Sequence, residues 1–252
     1  MAPSTELYER HAELYDAAFA WDIEEEVDWL LERLGPECRS VLEPGCGSGR
    51  VLEPLARRGL EAIGIDRSAA MVELARARGA RVVLADMTAF DLGRTFDGAV
   101  CPINTLAHLT PAELAGHLER MGRHLRPGAR YLVQLQLGGE AHSSEWEANG
   151  VRVAWTTEHV DLAAGRQRHR SRIETRAGEV VEELHELTLW TPAAWAVAVA
   201  ASPFAETALY DGAQDGYPAV EPGSEGPMLW HELTREDDQA GAAVRDPGTR
   251  GA

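Results

Sequence analysis

The chain has 252 residues, a hydrophobic fraction of 44% and a formal net charge of −17. That length suits one α/β domain with an appended element, or two small domains. The acidity argues against a nucleic-acid partner, which is bound through Lys and Arg, and no run of about 18 apolar residues is present to span a membrane.

The first residues, Met1-Ala-Pro-Ser-Thr-Glu-Leu-Tyr-Glu9, lack the basic patch and apolar run of a secretion signal. Residues 5–34 read as helical. Leu7, His11, Leu14 and Tyr15 share one face, and Ile23, Val27, Leu30, Leu31 and Leu34 form a second stripe. Gly35-Pro36 ends the segment. Tyr8, Tyr15, Phe19 and Trp21 are dense aromatics for so short a stretch. They either pack it onto the core or close it over a ligand as a lid.

From residue 36 strands and helices alternate, which implies a parallel sheet. Strands are expected at Ser40–Leu42, Glu61–Ile65, Arg81–Ala85, Phe96–Cys101 and Arg130–Leu137. Helices are expected at Arg50–Arg58, at Ala69–Arg78 behind the cap Ser68, and from Thr110 to about Leu125. Thr110, Pro111 and Glu113 form a capping box with proline at the first helical position. Arg126-Pro127-Gly128 turns that helix into the fifth strand. Residues 138–190 read as an antiparallel addition of about three strands, Val151–Leu162, Arg166–Arg176 and Val180–Trp190, the last two joined at Ala177-Gly178. Pro192–Ser202 reads as a short helix. Ala205–Tyr210 and Met228–Leu233 suit the last two strands of the main sheet, with a Gly/Pro-rich loop between them. From about Glu236 the chain is polar, with Gly and Pro, and disorder is expected.

The stretch Val41-Leu-Glu-Pro-Gly-Cys-Gly-Ser-Gly-Arg-Val51 organises the rest. It reads as strand, glycine turn and helix, a combination that presents unpaired N–H groups to an anionic ligand. A GxxxxGK(S/T) phosphate loop needs a lysine, and the chain has none. A GxGxxG dinucleotide loop needs glycine where Arg50 stands. Glu43, Gly45, Gly47 and Gly49 fit the pattern E/D-x-G-x-G-x-G instead.

Ligands of open α/β sheets bind beyond the carboxyl ends of the strands, and acids stand at three of those ends. Glu43 follows the first strand, Asp66 the second and Asp86, with Met87, the third. Each acid alone could be a helix cap; together they point to a nucleoside ligand. Beyond the fourth strand runs Cys101-Pro-Ile-Asn-Thr-Leu-Ala-His108. Cys38, Cys46 and Cys101 are odd in number and lack paired metal spacing, so reduced cytoplasmic thiols and no metal site are expected.

These motifs resemble class I S-adenosylmethionine (SAM) methyltransferases. The resemblance covers about residues 8–137 and rests on Val41–Gly49, Gly64-Ile-Asp66 with Met71, Ala85-Asp-Met87, Phe96-Asp-Gly98 and Leu125-Arg-Pro-Gly128. It implies a doubly wound, mostly parallel seven-stranded α/β sheet with an antiparallel β-meander inserted after the fifth strand. It implies SAM as cofactor, held by Tyr15, Glu43, Gly45, Cys46, Gly47, Asp66, Arg67, Met71, Asp86, Met87 and Pro102. Asp66 would take the ribose, Asp86-Met87 the adenine, and Glu43 the ammonium. Tyr15-Asp16 followed by an aromatic resembles the Y-D-x-x-(Y/F) element whose tyrosine closes over the methionine end. Residues 101–104 depart from the (D/N)-P-P-(Y/F) pattern of enzymes that methylate base or glutamine amides. With the insertion, the whole is similar to bacterial natural-product amino-sugar N-methyltransferases.

The expected organisation is therefore a helical lid (1–35), a SAM-binding core (36–137), a β insertion serving the substrate or a homodimer (138–190), the end of the core sheet (191–235) and a tail (236–252). The expected function is methyl transfer to a small molecule, with nitrogen favoured over oxygen. His108 is the candidate base and Tyr15 the second catalytic candidate; alternatively His108 packs against its own loop or caps the next helix. A SAM-consuming cyclase or lyase, and a non-catalytic SAM-binding subunit, are the competing functions. Arg166, Arg168, Arg170 and Arg172 alternate and share a face, with Glu182, Glu183 and Glu186 on the facing strand. They form either a solvated ion-pair ladder or a clamp for a diphosphate.

Overall fold

A computed structural model describes residues 6–139 and 141–237. Its first five strands are β1 (Ser40–Pro44), β2 (Glu61–Asp66), β3 (Arg81–Leu84), β4 (Phe96–Cys101) and β5 (Leu125–Leu137). The central strand β1 is buried at all five positions, as expected of a strand covered on both faces, whereas β3 at the sheet edge is largely exposed. β6 (Ser143–Ala148), β7 (Val151–Asp161), β8 (Arg166–Thr175) and β9 (Val180–Thr188) form a separate antiparallel sheet in that order. β10 (Phe204–Asp211) and β11 (Gly226–Arg235) return to the first sheet. Sheet A is thus seven-stranded, in the order β10-β11-β5-β4-β1-β2-β3. Its β3-β2-β1-β4-β5 part is parallel, and β11 runs antiparallel to both neighbours. The expected fold class stands.

Helices α4 (Leu52–Arg57) and α5 (Ala69–Ala77) make the first crossovers, and α6 (Pro111–His124) leads into β5. The Thr110–Glu113 capping box is formed in both directions. Helix α7 (Pro192–Ala200) packs Trp195 beside β10 and β11, where its indole donates to Glu206 at 2.9 Å. Asp97 pins the amino end of β1 to β4, accepting from the backbone N–H groups of Arg39 and Ser40 and from the Ser40 hydroxyl.

Four sequence-based boundaries move. Residues 5–34 are not one helical run but α1 (Glu6–Glu9), α2 (Ala12–Ala18) and α3 (Glu24–Leu34), because the two apolar stripes face different partners. Leu7, Ala18 and Phe19 pack against Val151, Val153 and Ile173 of sheet B. Val27, Leu30 and Leu34 pack against Val41, Val100 and Leu132 of sheet A. Within residues 1–35, α1 and α2 therefore pack on sheet B, while α3 packs on sheet A. The helix after the glycine turn starts at Leu52 rather than Arg50, since Gly49 at φ +78° ends a tight turn first. Arg126-Pro127-Gly128 lies inside β5 as an irregularity in its pairing with β4. The insertion has four strands, not three. β6 was missed because Ser143–Ala148 carries a single large apolar residue, Trp146. The expected tail, 236–252, lies outside the described residues from 238 onward.

Candidate functional site

The site is built at the carboxyl edge of sheet A. There β1 ends at Pro44, just past Glu43, and the chain turns through Gly45, Gly47 and Gly49 at φ +66°, +54° and +78°, a region that disfavours any side chain. A Cβ on Gly47 would meet no protein atom within 4 Å, so a ligand can reach the backbone from that side. Asp66, at the end of β2, latches this turn to α5. Its Oδ2 accepts from the Gly47 N–H and its Oδ1 from the Ser68 N–H, both at 2.8 Å. A carboxylate oxygen has further lone pairs, so two ribose hydroxyls remain within its capacity. Burial pushes the Asp66 carboxyl up, against these two donors.

Glu43 is 3% exposed, and its Oε2 has no hydrogen-bond partner. Burial drives its pKa up to about 8, only partly offset by Arg50. Arg50 has its own buried unpartnered atom, Nη1, and lies over the Trp21 ring. A buried acid and a buried guanidinium left incomplete fit the ammonium and carboxylate of an amino acid.

Beyond β3, Asp86 accepts from the Thr88 N–H and hydroxyl, both at 2.7 Å. The neighbouring Met87 carbonyl lies 3.0 Å from His117 Nδ1, and the opposite ring nitrogen is 2.9 Å from the Tyr131 hydroxyl. Burial drives His117 down to about 4, so it is neutral and Nδ1 carries the proton it gives to Met87. His117 positions this loop, a role the sequence reading missed. Arg67 is exposed between the ends of β2 and β3, while Cys46 and Met71 are buried beside the turn and in the first turn of α5.

After β4, Ile103 and Asn104 hold φ of +55° and +56°. Such a conformation is strained, most of all for a β-branched residue. It is over-determined from β5: Gln134 Oε1 accepts from the Ile103 N–H, and the Gln136 N–H donates to Asn104 Oδ1. Pro102 is buried and its carbonyl accepts from the Thr105 hydroxyl at 2.8 Å. The kinked backbone feeds a single 3₁₀ turn, Thr105–His108, that presents His108. The Tyr8 hydroxyl lies 3.5 Å from His108 Nε2, with the rings edge to face. Burial lowers His108 to about 4.

Helices α1 and α2 bridge the two sheets over this edge. Tyr15 stacks on Phe19 at 4.3 Å and meets Tyr8 edge-on at 5.0 Å. Burial pushes the Tyr15 phenol up to about 12. Asp16 accepts from the Ser48 hydroxyl of the glycine turn at 2.5 Å and pairs with Arg78. On the other side the Leu7 N–H donates to Glu183 Oε2 at 2.6 Å, and Trp146 donates to the Ala18 carbonyl.

The structure thus brings together Tyr15, Glu43, the glycine turn, Asp66, Asp86, Met87 and His108 around one edge. It does not bring the arginine row there. Arg168, Arg170 and Arg172 pair with Glu186, Glu158, Glu182 and Glu174 on the outer face of sheet B. Glu183 leaves that ladder for the inner, buried face. Among the described residues no group of three or more His, Cys, Asp or Glu could hold a metal ion, and no helix is long and apolar enough to cross a membrane.

A seven-stranded sheet with this order, a glycine turn after β1 and acids after β1, β2 and β3 defines a nucleoside-binding α/β fold of the class I methyltransferase type. A family model described as a methyltransferase domain matches residues 41–128. The chain is 32% identical over 174 residues to the dTDP-3-amino-3,6-dideoxy-alpha-D-glucopyranose N,N-dimethyltransferase of Streptomyces fradiae, a match covering 64% of this chain and 68% of that protein. It is 30% identical over 149 residues to the dTDP-3-amino-3,4,6-trideoxy-alpha-D-glucopyranose N,N-dimethyltransferase of Streptomyces venezuelae, covering 54% and 61%. A SAM-bound amino pentose methyltransferase of Micromonospora echinaspora, involved in calicheamicin biosynthesis, superposes with a TM-score of 0.69 at 26% identity over 88% of this chain and 96% of that one. The chain belongs to the SAM-dependent methyltransferase family. Its cofactor is SAM, and the orphaned Glu43 and Arg50 atoms fit that cofactor's amino-acid end.

Proposed function

We propose that this enzyme methylates the amine of a small amino sugar. The observation that carries the choice of nitrogen is electrostatic. A hydroxyl acceptor needs a base that competes for its proton. His108, held at about 4, binds protons weakly, and the Tyr15 phenol, pushed up to about 12, stays protonated. Glu43, Asp66 and Asp86 are engaged with the cofactor in this reading. A neutral amine needs no base before it attacks. It needs only placement, and positioning can supply roughly 7–11 kcal/mol of a barrier. The sugar class rests on the relatives' substrates and on the polar inner face of sheet B.

Bound SAM supplies an electrophilic methyl group on its sulfonium. In this reading Asp66 accepts the ribose hydroxyls, Asp86 and Met87 flank the adenine, and Glu43 with Arg50 holds the amino-acid end. Tyr15 closes the methionine end from α2. His108 accepts a hydrogen bond from the amine N–H and fixes the direction of its lone pair. The lid, tied to Ser48, Ser68 and Glu183, excludes water. A homodimer through sheet B and residence in the cytoplasm belong to the same proposal; light scattering tests the first.

The test is turnover of SAM with dTDP-linked 3-amino sugars, simple amines and phenols. Methylated amino sugar is expected, with one S-adenosylhomocysteine released for each methyl group transferred. Methylthioadenosine without a methylated product would establish the cyclase instead. Methylated phenols with untouched amines would overturn the nitrogen assignment.

A further inference from the structure

Polar side chains line the inner face of sheet B, where a β-sheet facing a core ordinarily buries apolar ones. Along β8 the residues Gln167, His169 and Ser171 alternate with the outward arginines, and all three are buried. Across the ladder His169 pairs with His185, and Ser171 with Glu183. This face meets the methyl-transfer edge. Tyr8 lies 6.3 Å from the His185 ring as well as beside His108, and the hydroxyl of Thr188 donates to the Leu109 carbonyl at 2.7 Å. His169 is close enough to His108 to disfavour the latter's charged form, after burial and Arg67.

Three polar atoms on this face are buried without a partner among the described residues: Gln167 Oε1, His169 Nε2 and Glu183 Oε1. Their residues are 3%, 5% and 6% exposed. The histidine's tautomer is defined. The Trp155 indole, a donor only, gives its N–H to His169 Nδ1 at 3.2 Å. A neutral imidazole that accepts at Nδ1 carries its proton on Nε2. His169 therefore offers an unmet donor, and Gln167, two residues along the same strand face, an unmet acceptor. Each such group costs stability unless something fills it.

We propose that His169 and Gln167 form the acceptor-specificity subsite, binding a hydroxyl of the sugar ring next to the amine that is methylated. A hydroxyl donates and accepts at once, which matches this pair. It also explains why the face carries no charged donor. Residues that bind only a partner's hydroxyl need no cation, and the arginines point the other way. The inference rests on the proposed function, since it presupposes an amino-sugar acceptor.

The experiment compares wild type with His169→Phe, Gln167→Leu and His169→Gln. The probes are dTDP-3-amino-3,6-dideoxyglucose and its 3,4,6-trideoxy analogue, which lacks the hydroxyl at C4. Each apolar variant should raise the KM for the first sugar about tenfold or more, with kcat and SAM affinity within about threefold of wild type. Its melting temperature should hold or rise, because an unmet buried polar group has been removed. His169→Gln, whose amide restores a donor near the lost Nε2–H, should keep most of the affinity. A KM penalty for the C4-deoxy sugar that vanishes in the apolar variants places the contact at C4. A penalty equal for both sugars places it at C2. An unchanged KM in both apolar variants overturns the subsite while leaving the function intact. Failure of wild type to methylate either sugar overturns the function, and the subsite with it.

Discussion

Two polar surfaces meet beneath α1 and α2, and they are built in opposite ways. At the carboxyl edge of sheet A the backbone makes the site. Gly47 donates to Asp66, Ser68 donates to the same carboxylate, and His117 holds the Met87 carbonyl. On the inner face of sheet B the side chains make it, and several of their polar atoms have nothing to bind. A surface whose groups are mutually satisfied is set before its ligand arrives. One with orphaned groups carries a cost that the right ligand relieves and a wrong one does not. The cofactor is the same in every turnover of every family member, whereas the acceptor must be chosen. In the proposed reading the satisfied backbone network serves the first, and the unmet groups of sheet B serve the second, with Glu43 and Arg50 kept for the cofactor's amino-acid end.

The largest expected effect tests the satisfied side. Asp66→Ala removes the proposed ribose contacts and also releases Gly47 and Ser68 from their shared carboxylate. SAM affinity should fall by about 10–100-fold, read by calorimetry, from charge-assisted bonds worth roughly 1.5–3 kcal/mol. If SAM still binds as tightly, the carboxyl edge is not organised around the ribose.

The next effect sits at the meeting line of the two surfaces. His108→Ala should lower kcat by about 10–100-fold with SAM affinity unchanged. Its pH behaviour separates a placing group from a base. Burial holds His108 at about 4, below its usual 6.5, so it is already neutral above about pH 5. Any acid limb near neutrality then belongs to the acceptor's own ammonium. The midpoint of that limb should be the same in wild type and His108→Ala. The simpler expectation from the sequence, that losing His108 flattens the limb, holds only for a histidine titrating near 6.5. A flattened limb in the variant would restore His108 as the base.

This contrast also decides what could be read before any coordinates. The cofactor edge was legible because it makes demands on the backbone: alternating glycines, acids after three strands and a capping box leave marks in residue order. The fold followed from the same alternation of strand and helix. The inner face of sheet B was not legible. In the stretch from Arg166 to Ile173 the arginines stand out, yet they belong to the solvent face. Gln167, His169 and Ser171 are unremarkable until burial shows which side of the strand is inside. Glu183 was grouped with the outward acids although its neighbours' alternation turns it inward to Leu7. The strain at Ile103 leaves no trace in residue type, since it is imposed from β5 by Gln134, with Gln136 holding the neighbouring Asn104.

A smaller effect probes Glu43, which with Arg50 carries an unpartnered atom on the cofactor side. Glu43, raised to about 8 by burial, holds a proton at pH 7 in the free enzyme. A cofactor ammonium against Oε2 favours the ionised form and lowers that pKa. SAM binding at pH 7 should therefore release most of one proton, and affinity should rise with pH up to about 8. Calorimetry in buffers of different ionisation enthalpy counts the proton. Glu43→Gln should abolish the release and weaken binding by about tenfold or less. Binding without proton release in wild type would mean that Glu43 meets the cofactor already ionised, or not at all.

The smallest effect concerns the outer face of sheet B, the one charged surface that the comparison leaves out of the site. Arg168 pairs with Glu186 at 2.6 Å, and Arg170 with Glu158 at 2.6 Å and Glu182 at 3.4 Å, all on exposed side chains. Exposed pairs of this kind contribute little, because water and salt screen them and two long side chains must be held still. Alternation along β8 puts these guanidinium groups on the opposite side of the strand from His169 and Gln167. A diphosphate held by them could not place its sugar under the lid. Arg168→Gln with Arg170→Gln should therefore leave the KM for a dTDP-amino sugar within about twofold at low and at moderate salt. The melting temperature should move by no more than about 2 °C. A KM that rises in the double variant, and more steeply as salt is lowered, would bring the arginines into the acceptor site. The strand would then have to serve its ligand from both faces, and the division between a satisfied cofactor edge and an unmet acceptor face would have to be redrawn.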